Sequence, residues 1–214
     1  MRVLNHRQPD LSVLAENVYK PHNLSAMLRT CDAVGVGEVH AVHPTGGIPT
    51  YNETSASADK WIELVVHKDI GSACEHLRDK GMRLYATHLS TKAIDYRDID
   101  YSQASCILMG NERDGVSEEA SKLVDEHIII PMMGMVQSLN VSVATAVVMF
   151  EAYRQRREKG LYDSSQISPR AKEIQAYKWL YPRQAALLTA QGIPFPKLDE
   201  QGQVIPNSIR RLPK

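Results

Sequence analysis

Side chains suited to chemistry fall into three clusters: Asn23 with Arg29, the run Gly110-Asn-Glu-Arg-Asp-Gly115, and residues 130–142, which carry Gln137, Ser138 and Asn140. Together they offer a guanidinium, carboxylates, amides and hydroxyls, a set that can bind a polar ligand and handle a proton. The third cluster is the most telling. It sits inside residues 128–150, 23 positions with no Asp, Glu, Lys or Arg in a chain that is 23% charged. Hydrogen-bonding groups inside the most apolar stretch carry a desolvation cost, which a site would justify. Each cluster also has a plain reading. Asn23 suits a helix N-cap, Arg29 a surface cation, Gly110 and Gly115 turns, and Glu112 a solvated carboxylate. One of Ser138 and Asn140 can cap the helix that follows, but a single cap does not account for both together with Gln137. The second cluster is neither GxGxxG nor a P-loop, so its motif does not support a nucleotide-phosphate cradle.

These clusters need elements to hold them. Residues 11–18 read as a strand, then Lys20-Pro21-His22 turns the chain. Asn23 is the expected N-cap of a helix running to about residue 34, with Leu24, Met27, Leu28 and Cys31 as its apolar stripe. Arg29 lies off that stripe, and Gly35 and Gly37 end the helix. Further strands are expected at 38–43, 62–67, 83–89, 105–109 and 127–131. Helices are expected over 70–80 and 116–124, with a long one from 138 or 140 to about 159. Residues 44–60 read as a long loop. This alternation predicts an α/β fold, a mostly parallel sheet covered by helices on both faces. In such sheets ligand crevices form where strands end and helices begin, and all three clusters stand at such places. After Gly160 come a linker, two short helices over 171–181 and 183–191, and proline-rich extended chain over 193–214. The expected division is a domain at 1–159 with a short N-terminal segment, and a basic extension at 160–214.

The formal net charge of zero averages two unlike parts. Residues 1–151 hold 13 Lys/Arg against 20 Asp/Glu, and residues 152–214 hold 12 against 5. That asymmetry points to a basic appendage for a polyanion, densest at Arg154, Arg156, Arg157 and Lys159. Three scattered cysteines without CxxC spacing suggest reduced thiols in the cytosol. The eight histidines show no HExxH. His40 and His43 stand three apart in a strand and so point to opposite faces, and no metal site is expected. The polar, basic start predicts no signal peptide. The charge-free run is long enough to span a bilayer, but its polar centre reads better as strand, elbow and helix, with no membrane partner.

In this order and at these spacings, the clusters resemble the SpoU branch of the SPOUT superfamily of RNA methyltransferases. Residues 23–35, 107–115 and 128–144 carry the likeness. Within that branch the chain is most similar to the TrmH-type tRNA guanosine 2′-O-methyltransferases. The matching pieces are Lys20-Pro21-His22-Asn23, Ala86-Thr-His-Leu-Ser90, the run ILMGNE at 107–112, residues 128–144, Gly192-Ile-Pro-Phe-Pro196 and the basic tail. The family usually has a longer N-terminal helix. Residues 2–7 resemble only its end, a departure that bears on tRNA affinity more than on chemistry.

The resemblance implies a deep trefoil knot in the sheet domain, a homodimer, a cytoplasmic location and S-adenosylmethionine as methyl donor without a metal. It implies tRNA as partner, methylated on the ribose 2′-hydroxyl of guanosine 18 in the D-loop. By position, Thr87, His88, Leu89, Gly110, Ile130, Met132, Ser138 and Leu139 are the cofactor residues. Arg29, Asn23, Glu112, Ser138 and Asn140 are the catalytic set, and Arg154, Arg156, Arg157 and Lys159 contact RNA. The family's arginine is held to be the base, assisted by an RNA phosphate. Because guanidinium stays protonated in proteins, an alternative has Arg29 clamp the phosphate and stabilise the developing alkoxide. Glu112 is then the conventional base. Competing readings are a 2′-O-methyltransferase of the tRNA anticodon loop or 23S rRNA, a non-catalytic RNA-binding SPOUT protein, and an oxidoreductase, which the absent GxGxxG disfavours.

Overall fold

The computed structural model describes residues 2–43, 60–206 and 208, so the expected loop at 44–60 lies, Lys60 apart, outside the described residues. Seven strands form one sheet: β1 (Leu11–Glu16), β2 (Glu38–Val42), β3 (Glu63–His67), β4 (Arg83–Thr87), β5 (Ile94–Asp95), β6 (Ser105–Met109) and β7 (Glu126–Ile129). Their order is β3-β2-β1-β6-β4-β7-β5, and every pairing is parallel. The helices are α1 (Arg2–Asn5), α2 (Pro21–Ala33), α3 (Ile70–Asp79), α4 (Glu118–Leu123), α5 (Val141–Glu158), α6 (Pro169–Leu180) and α7 (Pro182–Ala190).

β1 and β6 pair in the middle and are buried along their whole length, as strands covered on both faces must be. Their side chains alternate between two cores. Leu11, Val13, Ala15, Ile107 and Met109 pack with the stripe Leu24, Met27, Leu28 and Cys31 of α2 and with Val148, Met149 and Ala152 of α5. Leu14, Cys106 and Leu108 pack with Ile70, Ala73, Cys74 and Leu77 of α3 and Ala120 of α4.

The helix starts explain where the polar side chains end up. Asp69, Ser117, Asn140 and Ser168 each cap a helix by accepting a backbone N–H. Asn140, not Ser138, therefore opens α5. The expected cap at Asn23 is corrected. The cap is Lys20, and Pro21 begins α2 three residues earlier than an Asn23 cap would, its fixed φ and missing N–H suiting the first helical position. Asn23 is buried inside the first turn with its amide free for other partners. The two-residue β5 and the 3-10 turn at Tyr96–Asp98 are beyond what the sequence predicts, being too short to show periodicity.

Arg156 is a second correction. Its side chain is fully buried and donates to the carbonyls of Asp10, Tyr101 and Gln103, to Gln8 Oε1, and to Asp10 Oδ1 at 2.6 Å. It binds α5 to the chain entering β1 and β6, and it is not available to RNA. Arg154 is exposed but holds Glu151 and Glu158 at 2.7 Å each, so its charge is already balanced. Arg157 and Lys159 are exposed; Arg157 has no side-chain partner among the described residues, while the charge of Lys159 acts on the Asp100 carboxylate. The chain after residue 193 is not simply extended. Phe195 stacks on Tyr177 of α6 with ring centroids 5.0 Å apart, and Leu198 bridges Val204. Among the described residues, no helix is long and apolar enough to cross a membrane.

Candidate active site

At the C-terminal ends of β4, β6 and β7 a cavity of about 390 Å³ opens, within the range of small-molecule sites. Thr87, His88 and Leu89 line it from β4, residues 110–116 from the loop after β6, and Ile130, Met132, Ser138 and Leu139 from the segment between β7 and α5. All eight residues expected to meet a cofactor thus share one cavity.

The loop after β6 is closed by its own backbone. Asn111 and Gly115 exchange hydrogen bonds of 3.0 and 3.2 Å, and Asn111 Oδ1 accepts from the N–H groups of Arg113 and Asp114 at 2.8 Å. A Cβ on Gly110 would fall 2.1–2.3 Å from the backbone of Gly115 and Val116. Glycine is required there by close approach, and the bare backbone becomes part of the wall. The β4 end is held differently. His88 packs edge-on against His127, with centroids 5.0 Å apart. The ring nitrogens of His127 lie 3.2 Å from Ser90 Oγ and 3.0 Å from Ser121 Oγ. These supports come from three elements, and no local spacing signals them.

Beside the cavity, three side chains from distant parts of the chain form a relay. Asn23 Nδ2 donates to Glu112 Oε1 at 2.5 Å, and Asn140 Nδ2 donates to Asn23 Oδ1 at 3.2 Å. Asn140 Oδ1 in turn accepts from the N–H and Oγ of Ser142. Asn23, 1% exposed, therefore fixes both a carboxylate at the cavity wall and the amide that caps α5. Of the expected catalytic set, Asn23, Glu112 and Asn140 are joined and Ser138 lines the cavity. Arg29 stands apart. It is exposed on α2, does not line the cavity, and has no partner among the described residues.

The sequence pattern of the SpoU rRNA Methylase family matches residues 10–150, and that of the SpoU rRNA methylase C-terminal region matches residues 154–207. The chain belongs to the SpoU methylase family. A relative from Thermus thermophilus named tRNA (guanosine(18)-2'-O)-methyltransferase is 57% identical over 178 residues, 83% of this chain and 92% of that one. The crystal structure of the Aquifex aeolicus TrmH/SpoU tRNA modifying enzyme superposes with a TM-score of 0.80 at 40% identity, covering 85% of this chain and 92% of that chain. An AdoMet-bound rRNA methyltransferase from Sinorhizobium meliloti has a TM-score of 0.58 at 29% identity, covering 72% and 59%. Within the SpoU methylase frame, the cavity and the relay meet at the loop after β6, which contributes Gly110 to one and Glu112 to both.

Proposed function

We propose that this SpoU methylase transfers a methyl group from S-adenosylmethionine to the ribose 2′-hydroxyl of guanosine 18 in the D-loop of tRNA. The observation that carries the reading is the cavity at the strand ends with the Asn140–Asn23–Glu112 relay at its wall. The cavity fits the cofactor. Leu89, Ile130, Met132 and Leu139 offer an apolar slot for adenine, while Thr87, Ser138 and the bare backbone at Gly110 offer polar contacts. S-adenosylmethionine supplies an electrophilic methyl on a sulfonium, a reaction that calls for no metal.

A 2′-hydroxyl is a poor nucleophile until its proton is shared. Glu112, held in place by Asn23, is positioned to take that proton. Arg29 binds an RNA phosphate and stabilises the developing alkoxide. Arg157 and Lys159 supply phosphate contacts from the end of α5, where the basic extension at 160–214 begins. The segment between β7 and α5 threads a trefoil knot, in this reading, and so brings its elbow against the loop after β6. The protein acts in the cytoplasm as a homodimer. Met133 and Met135 are 95% and 99% exposed, and Val143 and Phe150 stand out from α5. Such apolar side chains gain most from a second copy. α2 packs beside α5, and in this reading Arg29 serves the cavity of the partner chain.

The test is methyl mapping on total unmodified tRNA, with wild type and Arg29→Ala side by side. Label on guanosine 18, lost in the variant, is expected. Label on another nucleotide, or RNA binding with no transfer, refutes the proposal.

A further inference from the structure

Away from the cavity, on the face of the sheet covered by α3, three imidazoles and a carboxylate converge. Glu38 and His40 project from β2, His67 ends β3, and His76 lies on α3. The ring centroids of His40, His67 and His76 form a triangle with sides of 5.2, 5.4 and 5.3 Å. His40 is fully buried, and its Nδ1 lies 3.0 Å from His67 Nε2. Its Nε2 faces Glu38 Oε1 at 3.0 Å, yet out of line for a hydrogen bond. His76 Nε2 lies 3.9 Å from the same oxygen and likewise has no hydrogen-bond partner. Two buried imidazole nitrogens are therefore aimed at one carboxylate without hydrogen bonds to satisfy them, an arrangement that asks for a cation.

We propose that Glu38, His40 and His76 form a binding site for a divalent transition-metal ion such as Zn²⁺, with His67 orienting His40. Tetrahedral zinc with bonds of about 2.0–2.2 Å sets its ligand atoms about 3.3–3.6 Å apart. The separations of 3.0 and 3.9 Å bracket that value, and all three ligand atoms lie within 4.8 Å of one another. Two nitrogens and one oxygen leave a fourth position for water. The His40–His67 contact is the outer support such a site needs, because an Nδ1–H donated to His67 leaves the Nε2 lone pair free for the metal. Lys80, at the C-cap of α3, contacts Glu38 Oε1 and supplies the positive charge when no metal is bound. Its flexible stem lets the ammonium leave when a dication arrives. None of these residues lines the catalytic cavity. The ion would fasten α3 to the β2–β3 side of the sheet, and the sequence conceals it because its ligands lie up to 38 residues apart on two elements, β2 and α3.

The test titrates metal-stripped full-length protein with ZnCl₂ by calorimetry and with CoCl₂ by visible absorption. One Zn²⁺ per chain with micromolar or tighter affinity is expected, with a tetrahedral Co²⁺ spectrum. His76→Ala and Glu38→Gln, both at partly exposed positions that spare the fold, should weaken binding at least tenfold. Lys80→Ala removes the competing cation and should tighten it severalfold. No binding by wild type, or equal binding by wild type and the His76→Ala and Glu38→Gln variants, overturns the proposal.

Discussion

Replacing Arg156 by alanine separates two roles that a basic residue in this tail can have. The fully buried guanidinium makes five hydrogen bonds, to the carbonyls of Asp10, Tyr101 and Gln103 and to the side chains of Gln8 and Asp10. Asp10 keeps a side chain 42% exposed, so water can serve its carboxylate after the change. Gln8 is 0% exposed and has no such recourse. Removing one partner of a buried charged pair costs about 3–5 kcal/mol, a large part of the roughly 5–15 kcal/mol that holds a domain folded. In urea, with a slope of about 2–3 kcal/mol/M, the midpoint should fall by about 1–2 M at unchanged slope. Because Arg156 touches no phosphate, the dependence of tRNA binding on KCl should keep its wild-type slope at a temperature where the variant is folded. Arg157→Ala should do the reverse, lowering the salt slope by about 0.7–0.9 while stability stays within about 0.5 kcal/mol. An Arg156→Ala protein with an unmoved urea midpoint and a flattened salt slope would refute the burial argument outright.

Gly110→Ala must open the loop that its Cβ would strike. Strain of about 1–3 kcal/mol should weaken S-adenosylmethionine binding by calorimetry roughly 5- to 100-fold, and unchanged affinity counts against this wall. Asn23→Ala unties Glu112 from Asn140, so kcat should fall about 10- to 100-fold with the KM for cofactor nearly unchanged. Asn23→Asp should not rescue it, since a carboxylate cannot donate to Glu112, and full activity in Asn23→Asp would disprove the relay. Burial pushes the thiol of Cys31 up to about 12 and that of Cys74 to about 11, so only about 10⁻⁴ of Cys31 is thiolate at pH 8. A disulfide reagent should label the folded chain only at its unfolding rate, and prompt stoichiometric labelling is the contrary result. If Arg29 serves the partner's cavity, mixing Arg29→Ala with Asn23→Ala chains leaves one intact site in each mixed dimer and about a quarter of wild-type activity. No recovery after verified exchange would place Arg29 in its own chain's site.

The parts legible in the sequence are those written in local pattern. The limits of β6 and the start of α3 follow from local pattern, an apolar run at 105–109 and a helical stretch from residue 70. For the cavity, strand ends explain why residues 110–115 and 130–142 stand at a crevice, while the share of Thr87, His88 and Leu89 is what the resemblance to the SpoU branch implies. What the pattern misses is which polar group answers which. Asn23 reads as a cap because its type suits one, but Pro21 takes the helix start and releases the amide to Glu112, 89 residues on. Arg154 and Arg156 count equally in a charge balance. One is neutralised by two glutamates on its own helix and the other is buried against residues 53–55 and 146–148 positions away. Charge clustering therefore overstates the free basic surface, and Arg157 and Lys159 are the exposed cations left at the end of α5. Arg29 is the converse case. Its position off the apolar stripe correctly marks it as exposed, but only the assembled fold shows that the relay closes without it. A guanidinium with no partner among the described residues, outside a relay that is complete without it, is a charge left unanswered by its own chain.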